Sequence, residues 1–224
     1  MRGNRRGRDL AVSDRILDAA ADAFAEKGFG GARVDAIARR ARVNKALLYY
    51  YVGDKKELYE AVLLRNFAAL CAAMDRAAAG PGGAEERLRR AIHAVLSTMR
   101  AIPNHPRLMF REVAGGAEHL SEPVFREMAG VFRRIRGLLE DGRREGVFRD
   151  VDPFLAHLEI FGGIVFVIAA SPIAHRLKKM TGVASPLDLD TESLSQRLSD
   201  LVLGGLRRSR GGSGRTVRRG GGKP

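Results

Sequence analysis

Apolar residues recur at three- and four-residue intervals from Ile16 to Leu206 and never alternate for long enough to line one face of a strand. That period restricts the chain to an all-α fold. The first helix is expected to start at Ser13, a good N-cap, to place Ile16, Leu17, Ala20, Ala23 and Phe24 on one stripe, and to end at Gly28. Two short helices follow, about Val34 to Arg40 and Asn44 to Tyr50, joined by the tight turn Ala41-Arg42-Val43. Asp54, with Glu57 three residues on, is a capping signal for a long fourth helix carrying Leu58, Ala61, Val62, Ala68 and Cys71. Gly80-Pro81-Gly82-Gly83 breaks that helix.

The second half reads as longer helices. Leu88, Ile92, Val95, Leu96 and Met99 define one, stopped by Pro103 and Pro106, with a shorter one from Leu108 to Val113. Val124, Met128, Val131, Phe132, Ile135, Leu138 and Leu139 form a clean stripe up to Gly146. Asp152-Pro153 caps and starts a helix that is apolar on all sides from Ile160 to Ala170, which demands burial on more than one face. A last amphipathic helix uses Leu194, Leu198, Leu201, Val202 and Leu206. The expected organisation is a basic arm at 1–12, an N-terminal three-helix helix-turn-helix domain at 13–59, a helical regulatory and dimerisation bundle at 60–206, and a Gly/Arg-rich tail at 207–224. Arm and tail have almost no large apolar groups, so both are expected to be disordered when unbound.

Charge sharpens this division. Of the net +13, the four arginines before Asp9 contribute +4 and the seven cations after Leu206 contribute +7, leaving only +2 for the body. Within the body, residues 33–56 carry Arg33, Arg39, Arg40, Arg42, Lys45, Lys55 and Lys56 against Asp35 and Asp54, a local +5, whereas residues 9–32 carry −3. A basic unit of two short helices has too little length to bury much alone and suits the presentation of its second helix to DNA phosphates and bases.

Other chemistries lack their motifs. The single Cys71 excludes an internal disulfide and a cysteine-rich zinc site, and the five histidines show no metal-binding spacing, so neither metal nor cofactor is expected. A small helical enzyme acting on an anionic substrate has no P-loop or nucleophile elbow to support it. A nonspecific architectural DNA binder working through its arginine tails is the stronger alternative, and the N-terminal arginines are candidates for minor-groove or phosphate contact. No apolar stretch follows the basic N-terminus, and the run Ile164–Ala170 is too short to cross a bilayer. A cytoplasmic location without a membrane partner is expected.

From Arg15 to Leu58 the chain reads R-I-L-D-A-A-x-x-x-F-A-E-K-G-F, then V-D-A-I-A-R-R-A-R-V-N-K-A-L-L-Y-Y-Y-V, then D-K-K-E-L. This stretch of about 45 residues resembles the DNA-binding domain of the tetracycline-repressor (TetR) family. The resemblance implies a homodimeric regulator of double-stranded operator DNA, usually a repressor released by a small-molecule effector. By position it puts Lys45, Ala46 and Leu47 at base edges and Asn44 at a base, a phosphate or the helix cap, and it makes Tyr49 and Tyr50 phosphate clamps, with a core role as the alternative for Tyr49; helix spacing places Tyr51 in the core. Lys55 would share a phosphate with free N–H groups at the start of the fourth helix, and Arg33 would do likewise from the second. Three positions depart from the family pattern. Arg42 replaces a turn glycine, which costs roughly 1 kcal/mol if φ is positive; Ala32-Arg33 replaces a Ser/Thr cap; and Val52 stands where phenylalanine is common.

In the regulatory half, Met99, Met109, Phe110, Phe132, His157, Phe161 and Phe166 are the candidate walls of an effector cavity, with His93 and Glu112 as polar candidates beside them. Each has an ordinary core or surface role as its alternative, as does Cys71 as an oxidant sensor. The expected dimer pairs the stripe from Val124 to Leu139 and the helix from Pro153 to Ala170, with Gly162 and Gly163 allowing close approach.

Overall fold

A computed structural model describes residues 2–183 and 189–208. The described residues form ten helices: α1 (Arg2–Gly31), α2 (Val34–Arg40), α3 (Lys45–Val52), α4 (Lys55–Ala78), α5 (Ala84–Ala101), α6 (Asn104–Ala114), α7 (Glu122–Arg144), α8 (Pro153–Ala169), α9 (Ser171–Thr181) and α10 (Thr191–Leu206). Helix α4 is the spine. Its first turns meet α1 and α3, and its length packs against α5 and α7, while α10 covers the outer side of α5. The core runs without interruption from Ile16, Phe24, Ile37 and Leu48 through Leu58, Val62 and Leu70 to Leu88, Leu96, Ile135 and Leu203.

Helix starts follow their caps. The Asp54 carboxylate accepts from Lys56 N at 2.7 Å and Glu57 N at 2.8 Å, and Glu57 Oε2 accepts from Asp54 N at 2.7 Å, completing the expected capping box. Asp152 caps α8 through Phe154 N and Leu155 N. Gly53, which closes α3, sits at φ 69°, and a Cβ there would lie 1.9 Å from the Glu57 carboxyl. Only glycine lets α3 stop and the box form one residue later.

Several expectations are corrected. Helix α1 has no start at Ser13; it continues back through the expected disordered arm to Arg2, and its one non-helical residue is Gly28 at φ 72°, ψ 173°. Packing of Val12 on the core supplies a fixed base from which further turns propagate at little cost. Helix α6 begins at Asn104 because Pro106 falls in its first turn, where a missing N–H breaks no helical hydrogen bond. Helix α9 adds an element that the stripes do not define; it starts at Ser171, with Pro172 in its first turn.

The two expected dimer stripes behave differently. Val124, Val131, Ile135, Leu138 and Leu139 of α7 are buried within the protomer, so this stripe is core and not an interface. Helix α8 fully buries only Ala156, Ile160 and Ile164 within the protomer, while Phe154, Leu155, Leu158 and Phe166 stand exposed, so the protomer alone leaves apolar surface of this helix uncovered. On α10, Leu194, Leu203 and Leu206 are buried, whereas Leu201 is 77 % exposed. The expected tail boundary at 207 also moves. Arg149 N donates to Leu206 O at 2.9 Å and Arg208 N to Val147 O at 3.2 Å, and the Arg207 guanidinium reaches Glu85. The tail beyond Arg208 lies outside the described residues. Among the described residues no single helix is long and apolar enough to cross a membrane.

Candidate nucleic-acid interface

The short helices α2 and α3 are held from behind. Ile37, Ala38, Ala41 and Leu48 are buried against α1 and α4. Arg40 of α2 reaches the Asp22 and Glu26 carboxylates of α1, and its hydrogen bond to Glu26 raises the guanidinium pKa further. Asp14 and Asp18 face Arg65 of α4. The acidic side of α1 is therefore the clamp that fixes α2 and α4, and the sharp charge polarity of the domain has a structural cause.

The turn adopts the geometry that the family pattern implies. Arg42 takes φ 55° and donates its N–H to Arg39 O at 3.1 Å, while Val43 N reaches Ala38 O at 3.0 Å. A left-handed arginine here is strained by about 1 kcal/mol, offset by these turn bonds. The second departure also holds, since Arg33 at the α2 N-cap makes no side-chain capping bond. Val52 is half-buried and packs on the core.

On α3, Asn44 is the cap: its Oδ1 accepts from Leu47 N at 2.7 Å. That bond fixes the first turn of the helix that carries the candidate reading residues. Lys45, Ala46, Tyr49 and Tyr50 project from the outer face, with Tyr50 81 % exposed. Lys45 Nζ is 2.9 Å from Asp35 Oδ1 and 6.0 Å from the Tyr49 ring centroid, and Asp35 raises its pKa. Because both partners are exposed, the ammonium can exchange Asp35 for a base edge at small cost. Leu47 is half-buried, so its part is packing and donating its N–H to the cap. Tyr51 turns inward, and its hydroxyl donates to Asp9 Oδ1 at 2.7 Å.

Lys55 has a different environment from the one expected. Its Nζ donates to Gly30 O at 3.2 Å and lies 4.8 Å from the Phe29 ring centroid. The adjacent N–H groups of Lys56 and Glu57 already donate to the Asp54 carboxylate. An anion at that helix start would meet a carboxylate rather than free donors, so Lys55 is a tether between α4 and the end of α1. Arg33, Arg39 and Arg42 remain as exposed cations around α3.

A buried polar junction, which spacing alone does not reveal, ties this head to the regulatory bundle. Tyr59 of α4 donates to Glu112 of α6 at 2.7 Å, and His119 N donates to the other Glu112 oxygen at 3.3 Å. The His119 ring lies 4.4 Å from Phe29, which in turn lies 5.3 Å from Tyr59. Burial, followed by the Glu112 carboxylate, pushes the Tyr59 phenol well above its ordinary value. Asn104 of α6 bonds Asp22, and Arg111 bonds Glu26 O at 3.3 Å. Any displacement of α6 is thus felt at α1 and at the first turns of α4.

The expected effector residues do not converge on one cavity. Met99 and Met109 are core. Where α7 meets α8, His157 stacks on Phe161 at 4.6 Å and meets Phe132 edge-on, and burial lowers the His157 pKa. Phe110 and Phe166 line a separate groove of about 320 Å³ with Ala25, Arg107, Arg111, Ala169, Ala170 and Ile173. His93 borders a larger polar groove of about 670 Å³ between α4, α5 and α10. Glu112 is occupied by Tyr59. Cys71 is buried, and burial pushes its thiol up, away from reactivity.

A capped helix whose outer face is clear of the protein, set on a buried two-helix support and joined to a separate helical bundle, defines a helix-turn-helix DNA-binding regulator. Residues 16–62 match the family described as "Bacterial regulatory proteins, tetR family", and residues 85–201 match "Tetracyclin repressor-like, C-terminal domain". The chain belongs to the TetR family of transcriptional regulators. It is similar to the HTH-type transcriptional repressor SCO4008 of Streptomyces coelicolor, 33% identical over 144 residues covering 64% of this chain and 70% of that one. Among solved structures it is similar to the TetR family regulator PfmR of Thermus thermophilus, with a TM-score of 0.67 and 26% identity over 88% of this chain and 97% of that one. It also shares its fold with the transcriptional regulator FadR of Bacillus subtilis in complex with stearoyl-CoA, with a TM-score of 0.68 and 21% identity over 85% of this chain and 97% of that one.

Proposed function

We propose that the chain is a homodimeric cytoplasmic repressor that reads a pseudo-palindromic operator through Lys45, Ala46, Tyr49 and Tyr50, with Arg33 on flanking phosphates, and that a small-molecule effector releases it. The carrying observation is the outer face of α3, exposed and fixed in direction by the Asn44 cap and the buried Leu48. Lys45 donates to guanine O6 or N7, Ala46 meets a thymine methyl, and the two tyrosines clamp phosphates. Pairing uses α8, whose exposed Phe154, Leu155 and Leu158 form an apolar face and whose Gly162 and Gly163 have open space at their Cβ positions. Twofold symmetry then sets two copies of α3 about 34–36 Å apart, one DNA turn.

The groove lined by Phe110, Phe166 and Ile173 is where an effector bears on both domains, because Ala25 of α1 forms part of its wall. Its apolar sides with Arg107 and Arg111 suit an apolar chain with an acidic head, the chemistry that stearoyl-CoA brings to the Bacillus subtilis FadR. Coupling of about 1–3 kcal/mol between effector and DNA weakens operator binding roughly 5- to 150-fold. The test is selection of bound duplexes from a random pool by the full-length protein, followed by binding of the Lys45→Ala/Tyr49→Ala variant. Retention of specific binding by that variant refutes this reading head.

A further inference from the structure

Helices α5 and α10 run antiparallel and are pinned at both ends of their contact. Arg89 Nη1 lies 2.8 Å from Asp200 at one end, and Arg100 donates to Thr191 Oγ1 at 3.0 Å and to Leu189 O at 3.2 Å at the other. Along α5 the pins are about 16 Å apart at 1.5 Å per residue. Between them, beside α4, lies the polar groove of about 670 Å³ that His93 borders. It shares no lining residue with the Phe110 and Phe166 groove, and the helix-turn-helix makes no use of it.

Its walls hold polar groups that the protomer leaves unpaired. Ser195 and Ser199 of α10 stand at i and i+4, on one face of the helix. They are 4 % and 1 % exposed, yet neither hydroxyl makes a hydrogen bond among the described residues. On α5, His93 Nδ1 is buried without a hydrogen-bond partner, since Glu192 Oε2, 3.3 Å away, stands out of bonding direction. Buried polar groups are nearly always paired, so three unpaired ones along one groove point to a partner from outside the protomer.

Charge narrows that partner. Asp200 matches Arg89, while Glu86 at 3.5 Å and the Ala77 and Gly80 carbonyls match Arg90. The third lining carboxylate, Glu192, is 79 % exposed and can turn to solvent. Arg76 of α4 is exposed and pairs with no carboxylate among the described residues. Alanines at 73, 77 and 94 add short alkyl surface and leave the space open. The groove thus offers one spare cation together with hydroxyls and an imidazole that donate and accept. Its volume lies within the range of roughly 300–1,000 Å³ that small-molecule sites occupy.

We propose that this groove is a second ligand site, separate from the apolar one, for a polyhydroxylated anion of sugar size, with Arg76 on the anionic end and Ser195, Ser199 and His93 on the hydroxyls. The experiment is calorimetric titration of the full-length protein with gluconate, glucose 6-phosphate, glucose and hexanoate. At least one of the first two is expected to saturate the protein, and which one does so tells a carboxylate from a phosphate end. Glucose is expected to bind about tenfold or more weaker, for want of the charged contact, and hexanoate not at all. Ser195→Ala/Ser199→Ala is expected to weaken the anionic polyol roughly 5- to 100-fold, and Arg76→Ala to bring it down to the level of glucose. Ala73→Leu, which fills the space without removing a polar group, is expected to abolish binding; with Arg76→Ala it carries the test should the serine variant melt early by circular dichroism. No saturation by either anionic polyol up to about 10 mM overturns the site and leaves the groove to solvent. Wild-type affinity in Arg76→Ala and Ala73→Leu places any binding elsewhere and overturns it too. Hexanoate binding as tight as that of gluconate refutes the recognition of hydroxyls.

Discussion

Tyr59→Phe removes one oxygen from the junction between the two domains and leaves the Glu112 carboxylate 4 % exposed without its strongest donor. What remains to it is His119, whose backbone N–H and ring nitrogen each stand 3.3 Å away. A hydrogen bond to a charged group contributes about 1.5–3 kcal/mol, and loss of one partner exposes the desolvation cost of the other. For a domain of this size each kcal/mol moves Tm by about 2–4 °C, so the variant is expected to melt roughly 4–8 °C lower. Circular dichroism melts at neutral pH measure this directly. Glu112→Gln tests the same bond from the other side, and the two losses are expected not to add, because the double variant has no unpaired carboxylate. A Tm within 1 °C of wild type for Tyr59→Phe would show that about 0.5 kcal/mol or less resides there, and the junction would not be the rigid link described above. Strict additivity in the double variant would refute the pairing itself.

Burial lowers the His105 pKa to about 4, so the folded state favours the neutral ring and its stability is fully present above the unfolded pKa of about 6.5. Stability is lost as pH falls from there toward 4, by about 2 kcal/mol at pH 5; urea midpoints should show this loss, and His105→Gln, beside Asn66, should flatten it. Gly142→Ala would put a Cβ 2.0 Å from the Phe148 ring, which is 1 % exposed; an overpacking cost of about 1–3 kcal/mol is expected in urea denaturation, with Phe148→Leu recovering part of it. Asn44→Ala removes the α3 cap and is expected to cost about 1 kcal/mol while weakening selected-duplex binding in an electrophoretic assay. Leu158→Glu on the exposed face of α8 is expected to give a folded monomer by sedimentation; a retained dimer moves the interface elsewhere.

Period and caps made the helices legible, because both are local. The box at Asp54–Glu57, the Asp152 cap and the strained Arg42 turn all stand where short-range spacing puts them. A stripe, however, reports that a face is buried and not against what. The α7 stripe and the α8 face look alike in sequence, yet α7 closes the protomer's own core and α8 is left over. Pro106 shows the same limit in reverse, since its effect depends on which turn of a helix it occupies, and that is set by where α6 starts. Lys55 is instructive because the sequence held both halves of the answer: a capping box consumes the N–H groups that a phosphate would need. The Tyr59–Glu112 pair, 53 positions apart, and the Tyr51–Asp9 pair, 42 apart, have no periodic signature at all. Both join elements that only the tertiary fold brings together, the first α4 to α6 and the second α3 to α1. The proposed recognition residues are thus legible in the local pattern of α3, whereas pairings between distant elements are not, because spacing cannot encode them.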